Sequence, residues 1–414
     1  MYLHIPNENE LDYRKYLISD EATMDYNIGY GENGGCTYHQ TSDEIQRWYQ
    51  GWNKSTDAYY AYIVRSVDNV FIGEVNLHKS RTEYWFDMGI VLEAKYRRMG
   101  YSVPSLKLLL RQAFDLMNVP AVHNDFEETR IAAVKAHVSA GFTKTESENG
   151  VVDLLITRER YYLNKAIQKM TSEIADILSD CSPSVYLYGS VALNDFRLGW
   201  SDIDILCLTQ KPFSQDQADR LVNLRQHLLS GEPDNMYYRL FEGGILTLNS
   251  FLNPQPDRAV YWGTSGEKIT DGYKLDSFSM AELLDSEKLA YGDDVRGQMQ
   301  YPTYEMLKCD VSHHYETIRK YAVNVGKSIK SYGWLLDIAR CIYTLRTGKI
   351  IAKTAAGEWA LDIGACPVPD ALEKAIQLRK DPLKYQNDEV FLNYTDKLGG
   401  DIQCFADVLE KELR

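Results

Sequence analysis

The chain reads as an α+β protein of more than one domain, and three observations lead there. Its 414 residues exceed what one hydrophobic core usually organises, so two or three domains are expected. Up to about residue 160, strand-like and helix-like segments alternate, and from about Ser312 onward strands give way to helices. The boundaries that follow are 1–160, 161–310 and 311–414.

The elements are justified in order. Tyr59 to Val64, Val70 to Leu77 and Trp85 to Leu92 are rich in β-branched and aromatic residues, and the polar stretches between them suit hairpin turns. A helix is expected from Val103 to Met117, with Ser102 as its cap and Pro104 tolerated in the first turn. A strand at Ala121 to His123 and a helix from Glu128 to Ala140, stopped by Gly141, come next, and strands at Phe142 to Thr145 and Val151 to Thr157 close the first domain. The second domain opens with a helix from Tyr162 to Leu178, where Leu163, Ile167, Met170, Ile174 and Ile177 recur at helical spacing. Strands at Ser184 to Leu187, Ile203 to Leu208 and Gly244 to Leu248 then flank a helix from Gln215 to Leu229. The third domain is expected to be all helical: His314 to Tyr332, Trp334 to Thr347, Thr354 to Leu361, and helices to the C-terminus.

Composition narrows the classes of function. Hydrophobic content of 44% and charged content of 25% are those of a globular protein, and no apolar run is long enough for a membrane span. Met1 to Pro6 lack the basic start and apolar run of a secretory signal, so the cytoplasm is expected. The seven cysteines are odd in number and lack C-x-x-C spacing, which suits reduced thiols rather than a disulfide framework or a zinc site. A net charge of −14 argues against general affinity for nucleic acid; it suits a cationic small molecule, and it suits solubility alone. The oligomeric state leaves no mark in the sequence.

Between the strand at Trp85 and the helix at Val103 lies Tyr96-Arg97-Arg98-Met99-Gly100-Tyr101-Ser102. A strand–loop–helix junction with a central glycine turns several N–H groups toward one spot, and a helix N-terminus adds partial positive charge. The spacing of Arg97, Gly100 and Ser102 resembles the R-x-x-G-x-G/A loop of the GCN5-related N-acetyltransferases (GNAT). Met88 to Leu92 resemble that family's splayed fourth strand, and His123 through Phe142 its next strand and helix, so the likeness covers residues 40 to 158. It implies a GNAT fold and an acetyl-CoA pyrophosphate cradled by Arg97, Arg98, Met99, Gly100, Tyr101 and Ser102, with Asn124 beside it. The family's general base is poorly fixed by sequence; Glu74 and Glu93 are both candidates.

The second set of chemistry-bearing residues lies in 185 to 208. A strand runs into Gly189-Ser190, where a short helix is expected to begin, so the Ser190 hydroxyl and nearby amides can hold a triphosphate. Asp202 and Asp204 are two apart on a strand, on one face, with Ile203 and Ile205 toward the core. Two carboxylates so placed repel each other unless a cation neutralises them, and magnesium prefers carboxylate and phosphate oxygens. A D-x-D alone also suits a solvated strand; Gly189-Ser190 at the preceding strand end selects the metal-binding interpretation. Glu242, just ahead of the next expected strand, is the candidate third acid that takes the proton of an attacking hydroxyl. G-S followed by D-x-D at this spacing is the signature of polymerase-β-like nucleotidyltransferases. It implies in-line attack on the α-phosphorus of ATP, with Asp202 and Asp204 as metal ligands.

Arg340 to Lys353, continuing through Ala355 to Ala360, resembles the streptomycin/spectinomycin (aminoglycoside) adenylyltransferases over residues 165 to 410. In that family the lysine matching Lys353 contacts nucleotide phosphate, and the likeness implies O-adenylylation of an aminoglycoside or aminocyclitol antibiotic. Two departures stand out. Lys327 to Trp334 lack the acid that meets the cationic drug, with Asp337 the nearest substitute, and Leu252 to Met299 align poorly. The first expectation is a bifunctional antibiotic-modifying enzyme acting on one class of polyhydroxylated amine. The alternatives are a nucleotidyltransferase with a non-catalytic GNAT-like binding module, and a protein-modifying nucleotidyltransferase of toxin–antitoxin type.

Overall fold

The computed structural model describes residues 1–144, 149–253, 255–263, 266–286, 288–326 and 328–414. Chain contacts divide it into two compact units, Met1–Lys165 and Ala166–Arg414. Among the described residues no helix is long and apolar enough to cross a membrane.

Unit 1 is a seven-stranded sheet with helices. Its elements are β1 (Tyr2–His4), α1 (Asp12–Ser19), α2 (Glu21–Met24), α3 (Ser42–Tyr49), β2 (Ala58–Arg65), β3 (Val70–Lys79), β4 (Phe86–Leu92), α4 (Ser102–Arg111), β5 (Ala121–Glu127), α5 (Ile131–Ala140), β6 (Thr143–Lys144) and β7 (Val151–Thr157). The strand order is β1-β2-β3-β4-β5-β7-β6. β4 and β5 run parallel but pair only at Phe86↔Val122 and Asp87↔His123. Beyond those pairs the two strands part, and a cleft opens between them. Expected and observed elements differ in places. α4 is shorter than expected and passes into a π-helical turn at Gln112–Leu116, while β5 runs on to Glu127. Ser102 is the first helical residue of α4 and not its cap; Tyr101 stands at the cap position without a side-chain capping bond. Thr145, the expected end of a strand, and Lys327 lie outside the described residues. The helices before residue 50 and β1, which pairs with β2, were not anticipated.

Unit 2 begins within α6 (Arg158–Ile177), which spans the division of the chain. There follow β8 (Pro183–Leu187), α7 (Gly189–Ala192), β9 (Ile203–Thr209), α8 (Gln215–Gly231), β10 (Phe241–Thr247), α9 (Leu248–Leu252), β11 (Ala259–Gly263), β12 (Gly266–Thr270), α10 (Ser277–Asp285) and β13 (Leu289–Tyr291). The helical part is α11 (Tyr304–Tyr321), α12 (Gly333–Thr347), α13 (Lys353–Asp362), α14 (Pro369–Lys380), α15 (Pro382–Tyr385) and α16 (Glu389–Leu413). The six strands order as β12-β11-β10-β9-β8-β13, with β9 and β10 parallel. α8 starts where the reciprocal side-chain bonds of Ser214 and Gln217 cap it. α11 starts ten residues before the expected His314, capped by Thr303, and ends before Gly326, whose φ of 57° breaks the expected run to Tyr332.

The helical part and the sheet of unit 2 are joined by a buried ion pair. Asp195, in the loop after α7, accepts from Arg379 Nε at 3.0 Å and Nη2 at 2.9 Å, from Thr354 Oγ1 at 2.6 Å and from the Thr354 N–H at 3.3 Å. Arg379 and Asp195 are almost inaccessible to solvent. Removing one partner leaves the other charge buried and unpaired, so we predict that Arg379→Leu destabilises unit 2 by ~3–5 kcal/mol. Urea titration of the full chain checks this; a loss below ~1 kcal/mol contradicts it.

Candidate functional site

In unit 2, β8 feeds α7 and β9 lies beside it. Gly189 has φ of 64°, a region that favours glycine, and a side chain there would overlap the Asp204 carboxylate. The backbone at Gly189 is therefore pressed against one of the two expected metal ligands. On β9, Ile203 and Ile205 are fully buried on one face while Asp204 takes the other, and Asp202 stands just ahead of the strand. Glu242 lies inside β10 and not ahead of it, as the register partner of Asp204 on the neighbouring parallel strand. Its Oε1 accepts from Tyr261 Oη at 3.3 Å. The Ser190 hydroxyl donates to the Asp202 carbonyl at 3.2 Å, fixing the turn to the strand that bears the aspartates.

A cavity of about 250 Å³ opens here, lined by Gly189, Ser190, Asp202, Asp204, Lys353 and Arg340 among others. Lys353, the first residue of α13, reaches Asp337 at 2.7 Å. Asp337 is therefore the counter-ion of Lys353 and lies near Arg340 at 4.0 Å; it is not a solvated helix-face acid. Burial pushes its carboxyl up, but the charges of Lys353 and Arg340 outweigh that and hold it below the usual aspartate value. Sequence reasoning missed Glu282, a buried acid on α10 that pairs with Arg340 at 2.9 Å and lines the same cavity. The one signal for it is an acid four residues after Phe278, on the stripe that packs inward with Ala281. In the region that lacks the family's acid, Lys330 donates to the Gly199 and Trp200 carbonyls at 2.7 and 3.2 Å, tying down the loop that leads to Asp202.

The electrostatics show what the cavity wants. Burial pushes the Asp204 carboxyl well above the usual range, and the charges of Glu282, Asp202 and Glu242 push it further. Burial raises Asp202 as well, offset in part by Lys330, Lys353 and Arg225. Crowded acids of this kind call for a cation. Among the described residues no group of three or more His, Cys, Asp or Glu side chains forms a complete metal cage. Two carboxylates lining one cavity fit magnesium, which takes one or two carboxylates together with phosphate and water.

Unit 1 carries a cleft of about 880 Å³ where β4 and β5 part. Arg97, Arg98, Gly100, Ser102 and Asn124 line it, whereas Met99 is exposed and Tyr101 packs on the core. Arg98 and Gly100 have φ of 61° and 82°, which turns the loop sharply ahead of the uncapped N-terminus of α4. The Arg97 side chain is spent on the fold: it donates to the Thr23, Ala22 and Leu92 carbonyls and pairs with Asp25 at 2.8 Å. Asn124 Nδ2 donates to His137 Nε2 at 3.0 Å. Neither candidate base is free. Glu74 lines the cleft but is paired with Arg14 and accepts from Tyr60 Oη at 2.5 Å. Glu93 is buried outside the cleft lining, with Tyr16 Oη at 2.8 Å and Lys95 at 2.5 Å.

Comparison with known proteins finds three family matches: an acetyltransferase (GNAT) domain over residues 4–143, a nucleotidyltransferase domain over 167–242, and an aminoglycoside adenylyltransferase C-terminal domain over 303–390. No curated protein matches the chain. Among solved structures, spermidine N-acetyltransferase from Vibrio cholerae in complex with CoA and spermine is 16% identical, covering 38% of this chain and 96% of its own, with a TM-score of 0.33. A GNAT-family acetyltransferase from Bacillus anthracis is 14% identical, covering 38% of this chain and 94% of its own, with a TM-score of 0.31.

A raised carboxyl pKa makes the folded protein hold protons that the unfolded chain has already lost. Stability from that source is complete below the ordinary aspartate value and falls as pH rises through the raised one. We predict that in chelator the melting temperature falls as pH rises above the usual aspartate range, that magnesium restores it more at the higher pH, and that Asp204→Asn flattens both responses. An unchanged slope in Asp204→Asn, read by scanning fluorimetry, contradicts the assignment.

Proposed function

We propose, for a chain that joins a GNAT acetyltransferase domain to a nucleotidyltransferase domain and an aminoglycoside-adenylyltransferase C-terminal domain, that unit 2 transfers AMP from ATP to a hydroxyl of an aminoglycoside or aminocyclitol antibiotic. Unit 1 transfers acetyl from acetyl-CoA to an amine. One observation carries the first half: the Asp204 carboxylate sits against the Gly189 backbone, with Glu242 beside it on β10 and Lys353 lining the same cavity.

The residues divide the work. Asp202 and Asp204 are the ligands for magnesium, which when bound neutralises charge on the phosphates. Lys353 and Arg340 meet the remaining phosphate charge from α13 and α12, each already paired with an acid that holds it in place. The Gly189 and Ser190 turn brings backbone close to the same space, as a phosphate requires. Glu242 accepts the proton of the attacking hydroxyl. Glu282 orients Arg340 as a positioning residue.

A second reading, in which unit 1 binds without catalysing, is favoured by the engagement of both Glu74 and Glu93. Mass spectrometry on a panel of aminoglycosides and aminocyclitols, with ATP and magnesium in one series and acetyl-CoA in another, separates the readings. Adducts of both kinds support two activities, and adenylyl adducts alone support the binding module. A mass gain on a protein and on no small molecule supports a protein-modifying enzyme. We expect Asp204→Asn to lower AMP transfer on the order of a thousandfold, the worth of several kcal/mol of lost metal stabilisation, with acetyl transfer unchanged. Lys353→Ala should raise the KM for ATP about tenfold, one charge-assisted contact. Equal loss of both activities in Asp204→Asn contradicts separate sites.

A further inference from the structure

The acceptor side of the unit 1 cleft is walled by the segment from α1 to α3, which contributes Arg14, Ile18, Met24, Tyr26, Tyr38 and Trp48. At its floor lies a box well suited to a cation: the Glu74 carboxylate, the face of Trp48 and the ring of Tyr60. A buried acid beside aromatic faces attracts an ammonium or guanidinium group by charge and by ring quadrupole. That box is filled by the protein itself. The Arg14 guanidinium lies 3.6 Å from the Trp48 ring centroid and is paired with Glu74, whose other oxygen takes the Tyr60 hydroxyl. Arg14 is held from its own backbone too, through its N–H to Tyr62 Oη at 3.2 Å.

The charge balance of the cleft follows from this. Among the described residues its lining holds Arg14, Arg97, Arg98 and Arg130 with Glu74 and Asp125, and Arg97 and Arg130 are paired with Asp25 and Glu127 outside it. Glu74 is neutralised and Asp125 is exposed at the end of β5. A molecule with several ammonium groups needs several acids to replace its hydration, and among the described residues the lining offers only Asp125 beyond the paired Glu74. The rest of the wall from α1 to α3 is apolar and aromatic apart from Gln40.

We propose that Arg14 is a specificity-determining residue: a resident cation that fills the Glu74–Trp48–Tyr60 box, excludes polycations, and leaves the cleft to an acceptor with a single amine on an apolar or aromatic body. This rests on the reading of unit 1 as a site for amine acetylation. It separates the acceptor of unit 1 from the polyhydroxylated polyamine proposed for unit 2, so the two activities do not converge on one class of molecule.

The test is calorimetric binding of tryptamine, spermidine and kanamycin to the full-length protein loaded with CoA. Wild type should bind tryptamine about tenfold or more tightly than spermidine or kanamycin, the difference one uncompensated charge makes. Arg14→Ala should gain about tenfold for spermidine by freeing Glu74, and Arg14→Ala with Glu74→Gln should lose that gain. Retained CoA binding and circular dichroism show that each variant folds; if Arg14→Ala does not, Arg14→Gln replaces it and the wild-type ranking decides. Wild type binding spermidine or kanamycin as tightly as tryptamine overturns the proposal, as does a folded Arg14 variant without the gain. If CoA binds and none of the three amines does, the acetylation reading falls and the proposal with it.

Discussion

The backbone of Gly189 and the carboxylate of Asp204 occupy space that no side chain could share, and the arrangement of unit 2 around its cavity depends on that contact. It requires a left-handed glycine at the end of β8 and an aspartate on the strand beside it, with nothing between them. It also draws like charges together, since Glu242 is next to Asp204 in the sheet and Glu282 lines the same cavity from α10. Such crowding is tolerable only with cations at the rim. Arg340 and Lys353 supply two of them from the helical part, and each is fixed by an acid, Glu282 and Asp337 respectively. The result is a chain of alternating charge running from Glu282 on α10 to the first residue of α13.

The same reasoning explains why the sheet and the helical part of unit 2 are held as they are. Thr354 follows Lys353 at the start of α13, and Asp195 satisfies its N–H and hydroxyl while pairing with Arg379. Asp195 belongs to the loop between Ser190 and Asp202, and Lys330 fastens that loop again at Gly199 and Trp200. Both ends of the connection between the serine turn and the aspartates are thus tied to helices that carry the cationic side of the cavity. A buried, fully paired aspartate contributes little net stability compared with an apolar substitute, but it specifies one geometry strongly.

What could be read in advance was what lies close along the chain. Asp202 and Asp204 declare their shared face through a spacing of two, and the helix over Gly333–Thr347 declares itself through its apolar period. Lys353 was reached through likeness alone, since a lysine opening a helix has no local signal of phosphate contact. Glu242 is legible as an acid but falls outside its strand, whose expected start at Gly244 is three residues after the observed one at Phe241. Gly243 and Gly244 are glycines because side chains there would overlap Ile205 and Tyr273. Glu282 and Arg14 went unnoticed for a common reason: each acquires its role from a partner far away in sequence, Arg340 in one case and Glu74 in the other. The early helices carried a legible signal that was passed over, the Thr41 and Glu44 pair that caps α3 from both sides.

Glu74 and Asp204 pose the same physical problem and meet opposite solutions. Each is a carboxylate in a sheet at the edge of a cavity, Glu74 buried and Asp204 partly buried, where an unpaired charge is costly. In unit 1 the chain answers with its own guanidinium, stacked on Trp48, so the acid is complete before any ligand arrives. In unit 2 the nearby cations are committed to Glu282 and Asp337, and Asp204 is left with acids for neighbours and a carboxyl that resists ionisation. A site whose charge is already balanced selects by shape and apolar contact, whereas one left in deficit recruits a cation and, through it, phosphate. The difference between an arginine supplied by α1 and one withheld by α10 therefore separates the chemistry of the two units.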